Sequence, residues 1–243
     1  MVDVKGKWAL ITGASRGVGR QIALQMSKEG CHLILHSRFL SHTEKIEQEV
    51  RALGVKAYSV QADLANQQEV VAMLDEIMQR GTPVDIVFNN AAVQIAYRTD
   101  YWQTPAEDFT TSFQINFIAA ATICYRLIPP MIERGFGRII NTTSGIRNEP
   151  EQAAYSASKA ALDKFTTDLA SRLDGTNVMM NLTDPGWCRT DLGGPHAPNS
   201  VESCVPGIVV GAFVDDYKSG RLFPAQAFAH MTLAEAVSKA QTM

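Results

Sequence analysis

Short apolar runs alternate along the chain with longer segments of mixed character. Residues 7–12 (KWALIT), 31–36 (CHLILH), 56–61 (KAYSVQ), 84–88 (VDIVF), 137–142 (GRIINT) and 177–183 (NVMMNLT) have strand length and strand character. Between them, residues 17–29, 43–53, 66–80, 105–133 and 153–174 carry helical periodicity. Thr104-Pro105-Ala106-Glu107 predicts a helix start, with Thr104 as N-cap and Pro105 in the first position. Regular alternation with apolar strands predicts an α/β fold. It is a doubly wound, Rossmann-like, mostly parallel sheet of about seven strands, in a single domain spanning residues 1–243. The segment 186–206 stands apart because Gly186, Gly193, Gly194, Pro195, Pro198 and Pro206 break any long element. It reads as a flap over a site, with an ordinary surface connection as the plainer alternative.

Composition removes several classes of function. A net charge of −3 gives no electrostatic case for nucleic acid or an anionic membrane as partner. The four cysteines (31, 124, 188, 204) form no CxxC pair and read as reduced thiols. The five histidines show no metal spacing, so no metal is expected. The apolar run before Gly13 is too short for a signal peptide or a spanning helix, which predicts a cytoplasmic protein.

Candidate chemistry begins where the first strand turns into the first helix. There Thr12-Gly13-Ala14-Ser15-Arg16-Gly17-Val18-Gly19 offers glycines that let backbone N–H groups approach a pyrophosphate at a helix N-terminus. The end of the second strand selects the cofactor. A carboxylate there would bind a ribose 2′-hydroxyl, but the residues are His36-Ser37-Arg38. Arg16, Ser37 and Arg38 suit a 2′-phosphate instead, which predicts NADP(H). Either arginine alone would read as a solvated surface residue. Asp63 and Leu64 end the third strand; Asp63 either accepts from the adenine amino group or caps the next helix.

Tyr155 and Lys159 stand four residues apart in a run of good helix formers, so they share a helical face. A nearby cation favours the phenolate, and the spacing predicts a tyrosine pKa lowered by the lysine.

Taken in order, these residues resemble the short-chain dehydrogenase/reductase family, of the 3-oxoacyl reductase and carbonyl reductase kind, from about residue 5 to 192. The family's glycine turn matches residues 12–19. Its Asn-Asn-Ala-Gly motif appears as Asn89-Asn90-Ala91-Ala92, and its helix asparagine as Asn116. Its serine, its Tyr-x-x-x-Lys and its Pro-Gly turn match Ser144, Tyr155 with Lys159, and Pro185-Gly186 with Thr190. The resemblance implies a catalytic set of Asn116, Ser144, Tyr155 and Lys159. Tyr155 would move the proton, Ser144 would bond the reacting oxygen, and Lys159 would hold the nicotinamide ribose. Asn116 would position a water that links Lys159 to solvent. Cofactor contacts would come from Gly13, Ser15, Arg16, Gly17, Val18, Gly19, Ser37, Arg38, Asp63, Leu64, Asn90, Ala91, Tyr155, Lys159, Pro185, Gly186 and Thr190. The implied activity is hydride exchange between NADP(H) and a small-molecule carbonyl or secondary alcohol, by a homo-oligomer. A cofactor-sensing regulator without turnover is the alternative.

The sequence also departs from the family pattern. Ala92 replaces a glycine, so its backbone must avoid a glycine-only conformation. Arg147, Glu149 and Glu151 make a charged edge, and residues 219–243 keep a Ser-Gly-Arg-Leu-Phe strand at 219–223 but lack the usual glycine-rich ending. Gln94, Tyr97, Trp102, Trp187, His196 and the segment 191–204 are the candidates for the substrate pocket. Trp187 would pack on cofactor or substrate, or equally serve as a buried structural tryptophan.

Overall fold

The computed structural model describes residues 1–243 and holds one seven-stranded sheet, parallel at every pairing. The strands are β1 (Trp8–Ile11), β2 (His32–Ser37), β3 (Ala57–Gln61), β4 (Val84–Asn89), β5 (Gly137–Thr142), β6 (Val178–Asp184) and β7 (Leu222–Pro224). Their spatial order is β3-β2-β1-β4-β5-β6-β7. The chain therefore winds outward from β1 to β3, then returns to start the other half at β4. This reversal between β1 and β4 opens a crevice at the carboxyl ends of the strands, where α/β sheets bind ligands.

Helices cover both faces, as apolar strands require. They are α1 (Gly17–Lys28), α2 (Glu44–Ala52), α3 (Gln67–Gln79), α4 (Ala106–Phe113), α5 (Ala119–Arg134), α6 (Ala153–Ala170) and α7 (Leu233–Gln241). Strand alternation divides the core. Ala9, Ile11, Leu33 and Leu35 face α1, α7 and the segment 207–214, whereas Leu10, Ile34 and Val87 face α3 and α5. The apolar helical run Ala106–Arg134 is long and apolar enough to cross a membrane by composition alone. Here it packs on α3 and α6, with Ile123, Leu127 and Met131 buried.

Three expectations change. The predicted helix 105–133 is interrupted, because Gln114–Ile118 adopt π-helical geometry between α4 and α5. Thr104 is not the N-cap: Pro105 holds that position without a side-chain cap, and the Thr104 hydroxyl donates to Tyr101 O at 2.9 Å. The segment after β6 is only partly a loop. Cys188 and Asn199 form a bridge, Glu202–Cys204 a 3-10 turn, and residues 207–214 are wholly buried. At the chain's end, α7 carries a full capping box between Thr232 and Glu235.

Arg138 ties the base of the sheet to that buried segment. Its fully buried guanidinium donates to Gly137 O (2.8 Å), Asn177 O (2.9 Å) and Val214 O (3.2 Å), and pairs with Asp215 at 3.3 Å. Burial lowers its pKa to about 10. Replacing it with methionine keeps the packing but strands these acceptors. Arg138→Met is expected to cost about 3 kcal/mol, read as a lower urea midpoint; an unchanged midpoint would refute the assignment.

Candidate active site

The cleft is built first from backbone. Thr12, the residue after β1, donates its hydroxyl to Phe88 O (3.3 Å) and accepts from the N–H groups of Asn90 (2.9 Å) and Ala91 (3.0 Å). The Asn90 amide returns a bond to Thr12 O at 3.0 Å. The β1 and β4 ends are thereby clasped. A Cβ on Gly19 would lie 2.1 Å from Gly13 O and 2.7 Å from Asn90 Nδ2, so only glycine fits at the start of α1. Gly13 itself has φ +66°, the left-handed region. Ala92 has no positive φ, so the missing family glycine is not demanded here.

His36 supports this turn from beneath, a role the sequence did not disclose. The buried ring accepts from Gly13 N through Nδ1 (3.3 Å), and its Nε2–H donates to Ala62 O (3.1 Å). One acceptor and one donor require the neutral ring. Burial lowers its pKa to about 4, with Ala62 O and Asp63 opposing.

The structure gathers most of the expected residues around one cleft of about 910 Å³. Gly13, Ser15, Arg16, Gly17, Val18 and Gly19 line it from the glycine turn, and Ser37 and Arg38 from the end of β2. Asp63 and Leu64, Asn90 and Ala91, Tyr155 and Lys159, and Pro185 and Thr190 complete it. Asp63 makes a local turn, accepting from Ala65 N at 2.9 Å, while Asn66 caps α3. The helix-cap reading of Asp63 is thus corrected. The Ser37 hydroxyl donates to Phe39 O at 2.6 Å, and Arg16 pairs with Asp191 at 2.7 Å.

Asn116, Ser144 and Gly186 do not line the cleft. Gly186 turns with φ +73°, its N–H donating to Asp184 Oδ1 at 2.9 Å. Ser144 lies near enough to Tyr155 to oppose the rise in the phenol's pKa, and its hydroxyl accepts from Ile146 N at 3.3 Å. Asn116 sits in the π turn, where its Oδ1 accepts from Val93 N (2.8 Å). Its two amide hydrogens go to Val93 O (2.9 Å) and Ser158 Oγ (2.9 Å). The side chain therefore locks the end of β4 to α6, leaving no amide hydrogen free to hold a water.

Tyr155 and Lys159 do share a face of α6, but their coupling differs from expectation. Lys159 Nζ donates to Thr142 O at 2.7 Å and lies 5.9 Å from the Tyr155 ring centroid. Burial lowers its pKa to about 8, opposed by Asp163 and Asp184. The Tyr155 pKa is raised rather than lowered: burial dominates, Ser144 opposes it, and Asp184 adds to it. The expected lowering fails because the ammonium turns to a carbonyl of β5 instead of the phenol. Asp184 and Asp163 are the acidic neighbours that sequence spacing did not single out as a group.

Of the substrate-pocket candidates, Asp191, Leu192 and Val201 of the segment 191–204 line the cleft, whereas Gln94, Tyr97, Trp102, Trp187 and His196 do not. Trp102 is 86% exposed, and Tyr97 and His196 are exposed as well. Trp187 is 60% exposed, which excludes the buried structural role, and its indole donates to Gly193 O at 2.7 Å.

The sequence model of the short chain dehydrogenase family matches residues 7–200. The chain belongs to that family. The short-chain dehydrogenase is 35% identical to a short-chain type dehydrogenase/reductase of Picea abies, across 77% of this chain and 72% of that one. It is 33% identical to the ketoacyl reductase HetN of Nostoc sp., across 77% and 65%. The chain thus spans roughly two-thirds to three-quarters of these relatives' length. Among solved structures it resembles a metagenomic short-chain oxidoreductase in complex with NADP (30% identity, 76% and 84% covered, TM-score 0.70). It also resembles an NAD+-bound xylitol dehydrogenase (26%, 92% and 98%, TM-score 0.81). Family and fold make this short-chain dehydrogenase an NAD(P)-dependent oxidoreductase.

The neutral His36 ring gives a pH signature. Its folded pKa lies below the unfolded value of about 6.5, so its contribution is complete above that pH and is lost as pH falls towards 4. The amount at stake is up to about 3 kcal/mol. His36→Asn, which does not titrate, is expected to lose less melting temperature between pH 7 and 4.5 than the parent chain. Equal losses in thermal melts would contradict the role given to His36.

Proposed function

We propose that the chain is an NADP(H)-dependent reductase and alcohol dehydrogenase, exchanging hydride with a small carbonyl compound or secondary alcohol. The supporting observation is the shared cleft: Tyr155 and Lys159 open into the same space as the glycine turn, with Arg16 and Arg38 on its wall. The glycine turn suits the dinucleotide, since Gly13 and Gly19 hold a backbone that a Cβ would block. The end of β2 supplies Ser37 and Arg38 and no carboxylate, which favours a 2′-phosphate over a 2′-hydroxyl. Bound nicotinamide supplies the hydride for reduction and accepts it for oxidation.

The chain's own residues handle the proton. Tyr155 keeps its proton at neutral pH, because burial holds the phenol above its ordinary value. It is thus set to donate to a carbonyl oxygen as negative charge develops there. Ser144, beside the phenol, serves as a second donor to the same oxygen. Lys159 is held by Thr142 O in a buried position, where its ammonium would hold the ribose hydroxyls. Asn116 acts through Val93 and Ser158, fixing the end of β4 against the helix that carries Tyr155 and Lys159.

The deciding experiment follows NADPH absorbance at neutral pH over aldehydes, ketones and acyl thioester mimics. Tyr155→Phe is expected to lower kcat by about 10²–10⁴-fold while NADPH still binds. Arg38→Asp is expected to move cofactor preference towards NADH by about tenfold or more. Tight NADPH binding without turnover on every compound would favour the cofactor-sensing regulator instead.

A further inference from the structure

Arg16, one of the two cations assigned to the 2′-phosphate, already has a partner. Its guanidinium lies 2.7 Å from Asp191 Oδ2, on the strap that follows β6. The side chains are 77% and 72% exposed, so water competes for both. The strap meets the glycine turn at a second point, since a Cβ on Gly17 would touch Thr190 Cγ2 at 3.3 Å. Thr190, Asp191 and Leu192 face Ser15, Arg16 and Gly17 around the same cleft. The ion pair therefore bridges strap and turn.

Two other arginines nearby, Arg189 and Arg20, are committed elsewhere. Arg189 donates to Ala197 O and Pro198 O, both at 2.9 Å, and Arg20 pairs with Glu49 at 2.5 Å. Arg38 lies 5.4 Å from the Phe39 ring centroid and makes no ion pair. Asp191 has a single ionic partner, and that partner is also a candidate ligand of the phosphate.

We propose that Asp191 is a specificity-determining residue that competes with the cofactor's 2′-phosphate for Arg16. This inference rests on the NADP(H) reading above. A ribose with a 2′-hydroxyl leaves Arg16 with Asp191 and the strap fastened to the glycine turn. A 2′-phosphate, with charge near about −2, draws the guanidinium away and releases the carboxylate. The cost of that release falls on the phosphorylated cofactor alone, so Asp191 narrows the preference for NADP(H) over NAD(H). For an exposed pair the effect is about three- to fivefold in the ratio of dissociation constants.

The test is calorimetric titration of NADP+ and of NAD+ into the full chain, Asp191→Asn, Arg16→Gln and the double variant. Asp191→Asn is expected to tighten NADP+ about three- to fivefold more than NAD+. In the double variant the ratio should return to that of Arg16→Gln alone. Equal tightening of both cofactors would mean simple relief of repulsion between Asp191 and the phosphates, and overturns the proposal. An unchanged ratio in Asp191→Asn, with NADP+ still weakened by Arg16→Gln, overturns the competition and leaves the NADP(H) reading standing. No effect of Arg16→Gln on NADP+ overturns both the competition and the place of Arg16 at the 2′-phosphate.

Discussion

The meeting of two backbones at the ends of β1 and β4 is the constraint from which the rest of the cleft follows. Thr12 draws Asn90 and Ala91 inward, Asn90 answers to Thr12, and the start of α1 is pressed so close to Gly13 that a methyl group has no place. Because the clasp joins two neutral side chains to backbone groups, it fixes position without depending on any surface charge. It leaves the N-terminus of α1 on the wall of the crevice, where its first N–H groups have no intrahelical partner. The neutral ring of His36 braces the same turn from the next strand, so three strands share in shaping one loop.

The other half of the site is governed by burial rather than by crowding. Tyr155, Lys159 and Asp163 lie on α6, and Asp184 reaches them from the end of β6. Burial disfavours charge on each of the three α6 groups, and Asp184 then raises the tyrosine while Asp163 and Asp184 support the lysine's charge. The pocket is thereby biased towards a protonated phenol beside a retained ammonium. Asn116 joins the two halves by bonding Val93 on one side and Ser158 on the other. The π turn is what presents its side chain for this double duty.

Six strands were legible as apolar runs because a sheet covered on both faces must be apolar throughout. The glycine turn was legible from its residue types at the end of the first run and Tyr155 with Lys159 from helical spacing, whereas Asn90 and Pro185 came only through the family resemblance. The π turn was not: one extra residue per turn barely disturbs a hydrophobic pattern read at helical period. The three-residue β7 was placed slightly early, at 219–223 instead of Leu222–Pro224, since its register depends on pairing with β6. The direction of the Tyr155 shift was misread because Lys159 could be aimed only by knowing that Thr142 O lay within reach. His36 passed for a member of the cofactor-selecting triplet, since sequence cannot tell which neighbour in a sheet turns its side chain beneath a loop.

The strap after β6 touches the glycine turn near its tip and is rooted in the core at its far end. Cys188 and Asn199 close its neck, and the following residues 207–214 run inside the core with no exposed side chain among them. Exposed tip residues such as Leu192 and His196 carry none of the packing that holds the sheet. Selection can therefore rewrite the tip as one exchanges the bit of a drill, with the chuck left untouched. A lineage built on this scaffold acquires new preferences by local replacement, and each trial leaves the folded framework intact.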